Sequence, residues 1–163
     1  MSAQLTPTVL VDSREQTPLV IENFPVSVVG LPVGDYGIEG LSDWNCPAFI
    51  VERKSLNDLI GSLTTGRDRF MREIEKLRQF RFRALLIEAW ESQVEAGDYL
   101  SAAKPQSILQ SLSALQVRAN LHVIWAGGPS GAARALERLV RQTVRGVEKE
   151  YRAVAGGKRG HGK

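Results

Sequence analysis

Apolar and polar positions along the chain change period once, and that change divides it into two halves. In the first 53 residues the apolar runs are short and β-branched: TVLVD ending at Asp12, PVSVVG, LPVGDYGIEG and PAFIVER. Each is bounded by Pro, Gly, Asn or Asp, which predicts four short strands in a meander or twisted sheet rather than a helical bundle. From Ser55 onward helical spacing takes over. Ser55-Leu56-Asn57-Asp58 has the S-x-x-D form of a capping box, which predicts a helix running to about Leu63. Phe70, Ile74 and Leu77 then recur at helical intervals, RALLIEAW (83–90) reads as a central strand, and Ile108, Leu112 and Leu115 mark a third helix. LHVIWAG is a further strand. A long helix over 130–152 carries Leu136, Leu139, Val140, Val144 and Val147 as its apolar side.

Strands alternating with helices in the second half imply parallel crossovers, so the expected fold is α/β, a mixed central sheet flanked by helices. One domain over residues 1–152 is expected, followed by a disordered basic Gly-rich tail over 153–163. The 163 residues are 43% hydrophobic and 24% charged, enough for a packed core and too apolar for general disorder. Cys46 is the single cysteine and can form no internal disulfide. The opening MSAQLTPTVLVDSRE lacks the basic and apolar regions of a secretory leader, and no apolar run reaches membrane-spanning length. A soluble, intracellular protein is expected.

Charge is unevenly spread. Residues 1–52 hold one basic residue, Arg14, against seven acids; residues 53–83 hold nine basic residues against four acids. An acidic third followed by a basic stretch suits a cation held beside a phosphate backbone, and it equally suits solvated helix charge. Two acids locate the chemistry: Asp35 in GDY and Glu52 in VERKS, at the ends of neighbouring strands. If those strands form a hairpin the carboxylates converge. Hard oxygen donors with open positions suit Mg²⁺ or Mn²⁺. Lys54, two residues beyond Glu52, lies on the same strand face, where its amine can orient water for attack on phosphorus.

The longer string resembles the XPF family of structure-specific DNA endonucleases, whose signature is GDx(n)ERKx(3)D. It is matched by Gly34-Asp35, Glu52-Arg53-Lys54 and Asp58. VDSRE supplies the family's early D-x-R-E-like element with Asp12, Arg14 and Glu15, and GRDRF (66–70) its Gly-Arg segment. The resemblance spans roughly residues 8–150. It implies a restriction-endonuclease-like fold and Mg²⁺- or Mn²⁺-dependent cleavage of DNA at 3′ flaps, forks and nicked junctions, in repair, recombination or replication. By position, the resemblance implies Asp35 and Glu52 as the principal metal ligands, Asp12 as a further acid able to bind the metal directly or through water, and Lys54 as the cation that orients water. Arg53 binds the scissile phosphate or braces the site, and Arg14, Glu15 and Asp58 surround it.

Other assignments keep two readings. Asp58 is a helix-cap partner or site support, and Arg14 a neutraliser of nearby acids or a site residue. Arg67, Arg69 and Arg72 line a solvated helix face or contact DNA backbone. Trp44 and Tyr36 pack in core or loop, or stack on an unpaired base. His122 and His161 have no ligand role. No tandem helix-hairpin-helix module follows residue 150, so weak DNA affinity is expected unless a partner or a second copy adds grip. A noncatalytic DNA-binding subunit and a sequence-specific endonuclease of the same fold are the alternative functions.

Overall fold

The computed structural model describes residues 5–157, and the end of the expected tail, 158–163, lies outside them. Six strands form one sheet in the order β2-β1-β3-β4-β5-β6. These are β1 (Val9–Asp12), β2 (Val26–Val29), β3 (Tyr36–Ile38), β4 (Phe49–Lys54), β5 (Phe82–Ile87) and β6 (His122–Trp125). Five helices accompany them: α1 (Leu56–Leu63), α2 (Arg67–Leu77), α3 (Glu91–Glu95), α4 (Pro105–Arg118) and α5 (Pro129–Gly157). The mixed sheet flanked by helices is as expected.

The meander is not. β2 pairs parallel to the outer side of β1, while β3 pairs antiparallel to its inner side, so β1 sits between its two successors. The physical reason lies in residues 13–25, which cross back to the start of the sheet instead of turning as a hairpin. Val9 N–H donates to the Pro25 carbonyl at the return. β3 and β4 are antiparallel neighbours, and β4, β5 and β6 run parallel through the two helical crossovers.

Period-two alternation sorts the strand side chains into two cores. Ile50, Leu85 and Ile87 face α1, α2 and α4, where Leu59, Ile60, Phe70, Ile74, Ile108 and Leu112 close one cluster. Val51, Phe49, Ala84 and Leu86 face α5, packing on Ala132, Leu136 and Val140. Both faces of the central strands are therefore dry. The short α3 was not legible, being five residues of mixed polarity; Gln93 Oε1 accepts the Trp90 N–H at its start. α5 also runs through Gly157, into the segment expected to be a disordered tail. Ala153 and Ala155 favour helix, and Gly156 and Gly157 weaken its last turn.

Glu137 of α5 is buried, and it anchors the crossover after β1. Its Oε1 accepts the N–H groups of Glu22 (2.7 Å) and Asn23 (3.2 Å), and its Oε2 the Asn23 side-chain amide. Burial acts to raise its pKa, but these hydrogen bonds outweigh it and hold the carboxyl below its ordinary value. Its stabilisation is thus full above the unfolded-state value and is lost as pH falls through the lower folded one. Glu137→Gln is expected to cost about 1.5–3 kcal/mol at neutral pH, typical of hydrogen bonds to a charged group. The gap from wild type in thermal unfolding should close in acid.

Candidate active site

Gly34 has φ +74°, and a Cβ there would lie 2.7 Å from Ile50 Cγ1, so glycine lets the chain cross tightly over β4. The next residue is thereby held in place: Asp35 N–H donates to the Val51 carbonyl (2.9 Å), and Arg53 N–H donates to Asp35 Oδ2 (2.8 Å). With Tyr36 in register with Val51, Asp35 sits across from the end of β4, and Glu52 shares its sheet face. Lys54, two residues on, places Nζ 3.1 Å from Glu52 Oε1 and 5.3 Å from the Phe70 ring centre.

Asp35, Glu52 and Lys54 line an open cleft of about 580 Å³, with Glu15, Asn57, Asp58, Thr65 and Arg69 among its other walls. Burial raises the pKa of both Asp35 and Glu52. Each is pushed further by neighbouring negative charge, Glu15 on Asp35 and Asp35 on Glu52, and Lys54 offsets this only in part. The pair is an unbalanced anionic site.

Asp12 behaves differently. It is buried on the same face, but both its oxygens are engaged: Oδ1 by Leu31 N–H (2.9 Å), Oδ2 by Arg14 N–H (3.1 Å) and Arg14 Nε (2.6 Å). Arg14 Nη2 completes the fork on Oδ1 at 3.2 Å. Burial works to raise the Asp12 pKa, and these bonds together bring it below the ordinary value. Arg14 is in the role of neutraliser. Among the described residues no three His, Cys, Asp or Glu side chains gather as a ready-made ion cage. One oxygen each of Asp35 and Glu52 stays open to an ion, since Asp35 gives its other to the Arg53 amide and Glu52 to Lys54. Two carboxylates with water and phosphate oxygens fit Mg²⁺ or Mn²⁺, which retain much of their hydration.

Arg53 points to the opposite sheet face. Its guanidinium meets Glu88, Glu15 Oε2 (2.9 Å) and the Thr17 carbonyl (2.6 Å), a bracing arrangement. Glu15 also accepts from the Tyr36 hydroxyl (3.0 Å), and Tyr36 is wholly buried, a packing residue. Ser55 Oγ accepts Asp58 N–H (3.2 Å), half of the expected capping box, while Asp58 itself lines the cleft. Of the three α2 arginines only Arg69 lines the cleft, loosely paired with Glu73 at 3.8 Å. Arg67 turns to Leu63 O and Ser111 on α4, and Arg72 is exposed on α2. Trp44 packs near Phe80 in the β3–β4 loop, at the far end of β4 from Glu52. His122 stacks on Phe82.

Two participants were missed. Glu88 follows β5 and takes Arg53; its only signal was an acid at a strand end. Asn57 lines the cleft and its Oδ1 accepts Leu100 N–H (3.0 Å), a contact with no sequence signature.

The ERCC4 domain family model matches residues 11–139. The chain belongs to that family. This ERCC4 domain is 32% identical over 148 residues to the DNA repair endonuclease XPF of Cricetulus griseus, and 32% over 146 residues to that of Drosophila melanogaster. Each alignment covers 82% of the chain but only 15% and 14% of those proteins, so the domain corresponds to a small part of its curated relatives. The solved structure of XPF from Aeropyrum pernix superposes with TM-score 0.68 at 25% identity, over 84% of this chain and 61% of that one. The same protein in complex with DNA gives 0.65 at 23% identity, over 85% and 66%, a likeness of fold. The fold is restriction-endonuclease-like. No described helix is long and apolar enough to cross a membrane.

The raised pKa values of the acid pair make a stability prediction. A carboxyl whose folded pKa is raised contributes most at low pH, and stability falls as pH rises through the folded value. In metal-free protein Glu52→Gln removes this penalty and leaves Asp35 to balance Lys54. Its melting temperature should therefore exceed that of wild type increasingly from pH 5 to pH 8.5. A lower melting temperature throughout would mean that the two carboxylates do not oppose one another.

Proposed function

We propose that this ERCC4 domain is a metal-dependent endonuclease that hydrolyses DNA phosphodiester bonds at branched structures such as 3′ flaps, forks and nicked junctions, inside the cell. The observation that carries the reading is the pair of mutually repelling carboxylates at the end of β4, Glu52 buried and Asp35 half-buried, with a lysine amine 3.1 Å from one of them. Membership of a family whose relatives are named DNA repair endonucleases supports the DNA substrate.

Asp35 and Glu52 would hold Mg²⁺ or Mn²⁺, which when bound offsets charge developing on the phosphate and acidifies water. Lys54 donates from Nζ toward the cleft, orienting the attacking water and favouring its deprotonated form. Arg69, on the rim, attracts the phosphate backbone into the cleft. Asp12 acts through Arg14 and the Leu31 amide, fixing the end of β1 beside the acids. Arg53 ties Glu15 and Glu88 behind the hairpin, so the Asp35–Glu52 spacing is held by a strand rather than by a loop. A second copy of the chain, or a partner protein, would add grip on the DNA.

The test is incubation with labelled 3′-flap, fork, single-stranded and linear duplex DNA, with and without Mg²⁺ or Mn²⁺. Ion-dependent cutting near the branch is expected. Asp35→Ala and Glu52→Ala should lower the rate by about 10²–10³-fold, the scale of losing an electrostatic stabiliser, with the fold retained. Lys54→Ala should lower it by about 10²-fold or more. Binding without cleavage under every ion would instead make the domain a noncatalytic subunit. Cutting of linear duplex at one sequence would make it a sequence-specific enzyme.

A further inference from the structure

On α5, Arg134, Arg138, Arg141, Arg145, Lys149 and Arg152 recur every third or fourth residue. At 3.6 residues per turn they fall within an arc of about 80° and extend over about 27 Å of helix. That arc lies on the far side of the helix from Leu136 and Val140, which pack on the sheet. All six are exposed except Arg141, which is half-buried with its guanidinium 5.3 Å over the Phe24 ring. Arg134 is held by Ser130 Oγ (2.6 Å).

A solvated helix face ordinarily alternates its signs, and like charges one turn apart oppose folding. Here each of the three acids of the helix has a partner outside it, although Glu148 borders the stripe beside Arg141 and Arg145. Glu137 takes the Glu22–Asn23 loop, Glu148 accepts Leu5 N–H, and Glu150 pairs with Arg81 at 2.9 Å. Among the described residues none of Arg134, Arg138, Arg141, Arg145 and Lys149 has an ion pair within 4 Å. Arg134, Arg138, Arg145 and Lys149 thus form a row of charge in which no member has an ion pair within 4 Å.

Its position is connected to the cleft. Arg134 lines a groove of about 640 Å³ together with Thr17, Pro129, Ser130 and Arg53, and Arg53 also borders the acidic cleft on the other face of the sheet. The near end of the stripe thus begins one side chain away from the candidate active site, and its far end leads away beneath the sheet. We propose that the α5 stripe binds the phosphate backbone of a second DNA arm, diverging at Arg53 from the arm held in the cleft. Two phosphate-binding surfaces on opposite sheet faces give a branch two points of attachment and a single duplex only one. The inference rests on the reading of the domain as a nuclease for branched DNA and locates the part of it that senses the branch.

The test is fluorescence anisotropy in EDTA, so that no cutting intervenes, with a fork carrying two duplex arms and a single duplex of equal total length. Wild type should bind the fork more tightly. Arg138→Gln with Arg145→Gln should weaken fork binding by more than about tenfold at low salt and reduce the slope of log K against log salt by about two. The fork's advantage over duplex should disappear with it. Arg138→Lys with Arg145→Lys should restore binding, because a phosphate contact needs the charge and a fold defect would not be rescued by it. An unchanged slope and a retained fork preference in the Gln variant would overturn the proposal. Unaltered DNA binding with lost retention on phosphatidylserine vesicles would overturn it too, and would make the stripe a membrane surface. Cleavage by wild type with no effect of the Gln variant on binding defeats the stripe alone. Stripe-dependent fork binding without any ion-dependent cleavage defeats the nuclease reading alone.

Discussion

Two carboxylates held side by side in the wall of a cleft, and only partly reached by water, are the constraint around which this domain is organised. Left to themselves, Asp35 and Glu52 would move apart or into solvent. They are prevented by the least deformable part of the molecule, a hairpin whose second strand is buried on both faces and paired through its full length with β5. Gly34 allows the crossing, and the Arg53 amide fixes one oxygen of Asp35. The electrostatic cost of the pair is borne by backbone hydrogen bonding and core packing. This is the expected relation between a preorganised ion site and the scaffold that holds it.

The alternation of β4 then separates tasks that lie side by side in sequence. Glu52 and Lys54 face the cleft, and between them Arg53 faces α5, where it meets Glu15, Glu88 and the Thr17 carbonyl. A guanidinium with several fixed donors suits a bracing position, because its geometry sets the placement of its partners as well as their charge. A lysine suits the cleft, being a compact charge that moves to meet water or phosphate. Exchanging the two residue types would lose both functions, although net charge would be the same.

Most of the site was legible because its residues are local in sequence. ERK follows an apolar strand, so strand alternation places Glu52 and Lys54 on one side, and the antiparallel pairing of β3 with β4 adds Asp35 to them. The strand order was not legible, because the choice between a meander and a return to the outer edge depends on long-range anchors. One of these is Glu137, more than a hundred residues from the loop it holds. The same holds for the surroundings of Asp12: the resemblance implied an acid at the site, and only the folded chain brings Leu31 N–H to one of its oxygens. Arg67 and Arg69, two residues apart on α2, point to different neighbours because a helix rotates 200° between them. Spacing predicted a basic face, and packing against α4 decided which arginine reached the cleft.

Charge follows the same division between faces. The acidic first third supplies the cleft, and the basic residues that would attract a nucleic acid stand at its rim on α2 or behind the sheet on α5. If the cations of α5 were instead inside the cleft, they would neutralise Asp35 and Glu52 and remove the demand for an ion, as Arg14 does for Asp12. Keeping them on the outer surface of a helix, with the sheet and its packed core between them and the acids, lets one small domain attract phosphate strongly and still reserve its most negative point for a metal. The interposed sheet separates the two kinds of charge. Arg53 is where they meet, because a charge there is already balanced by Glu15 and Glu88 and competes with neither.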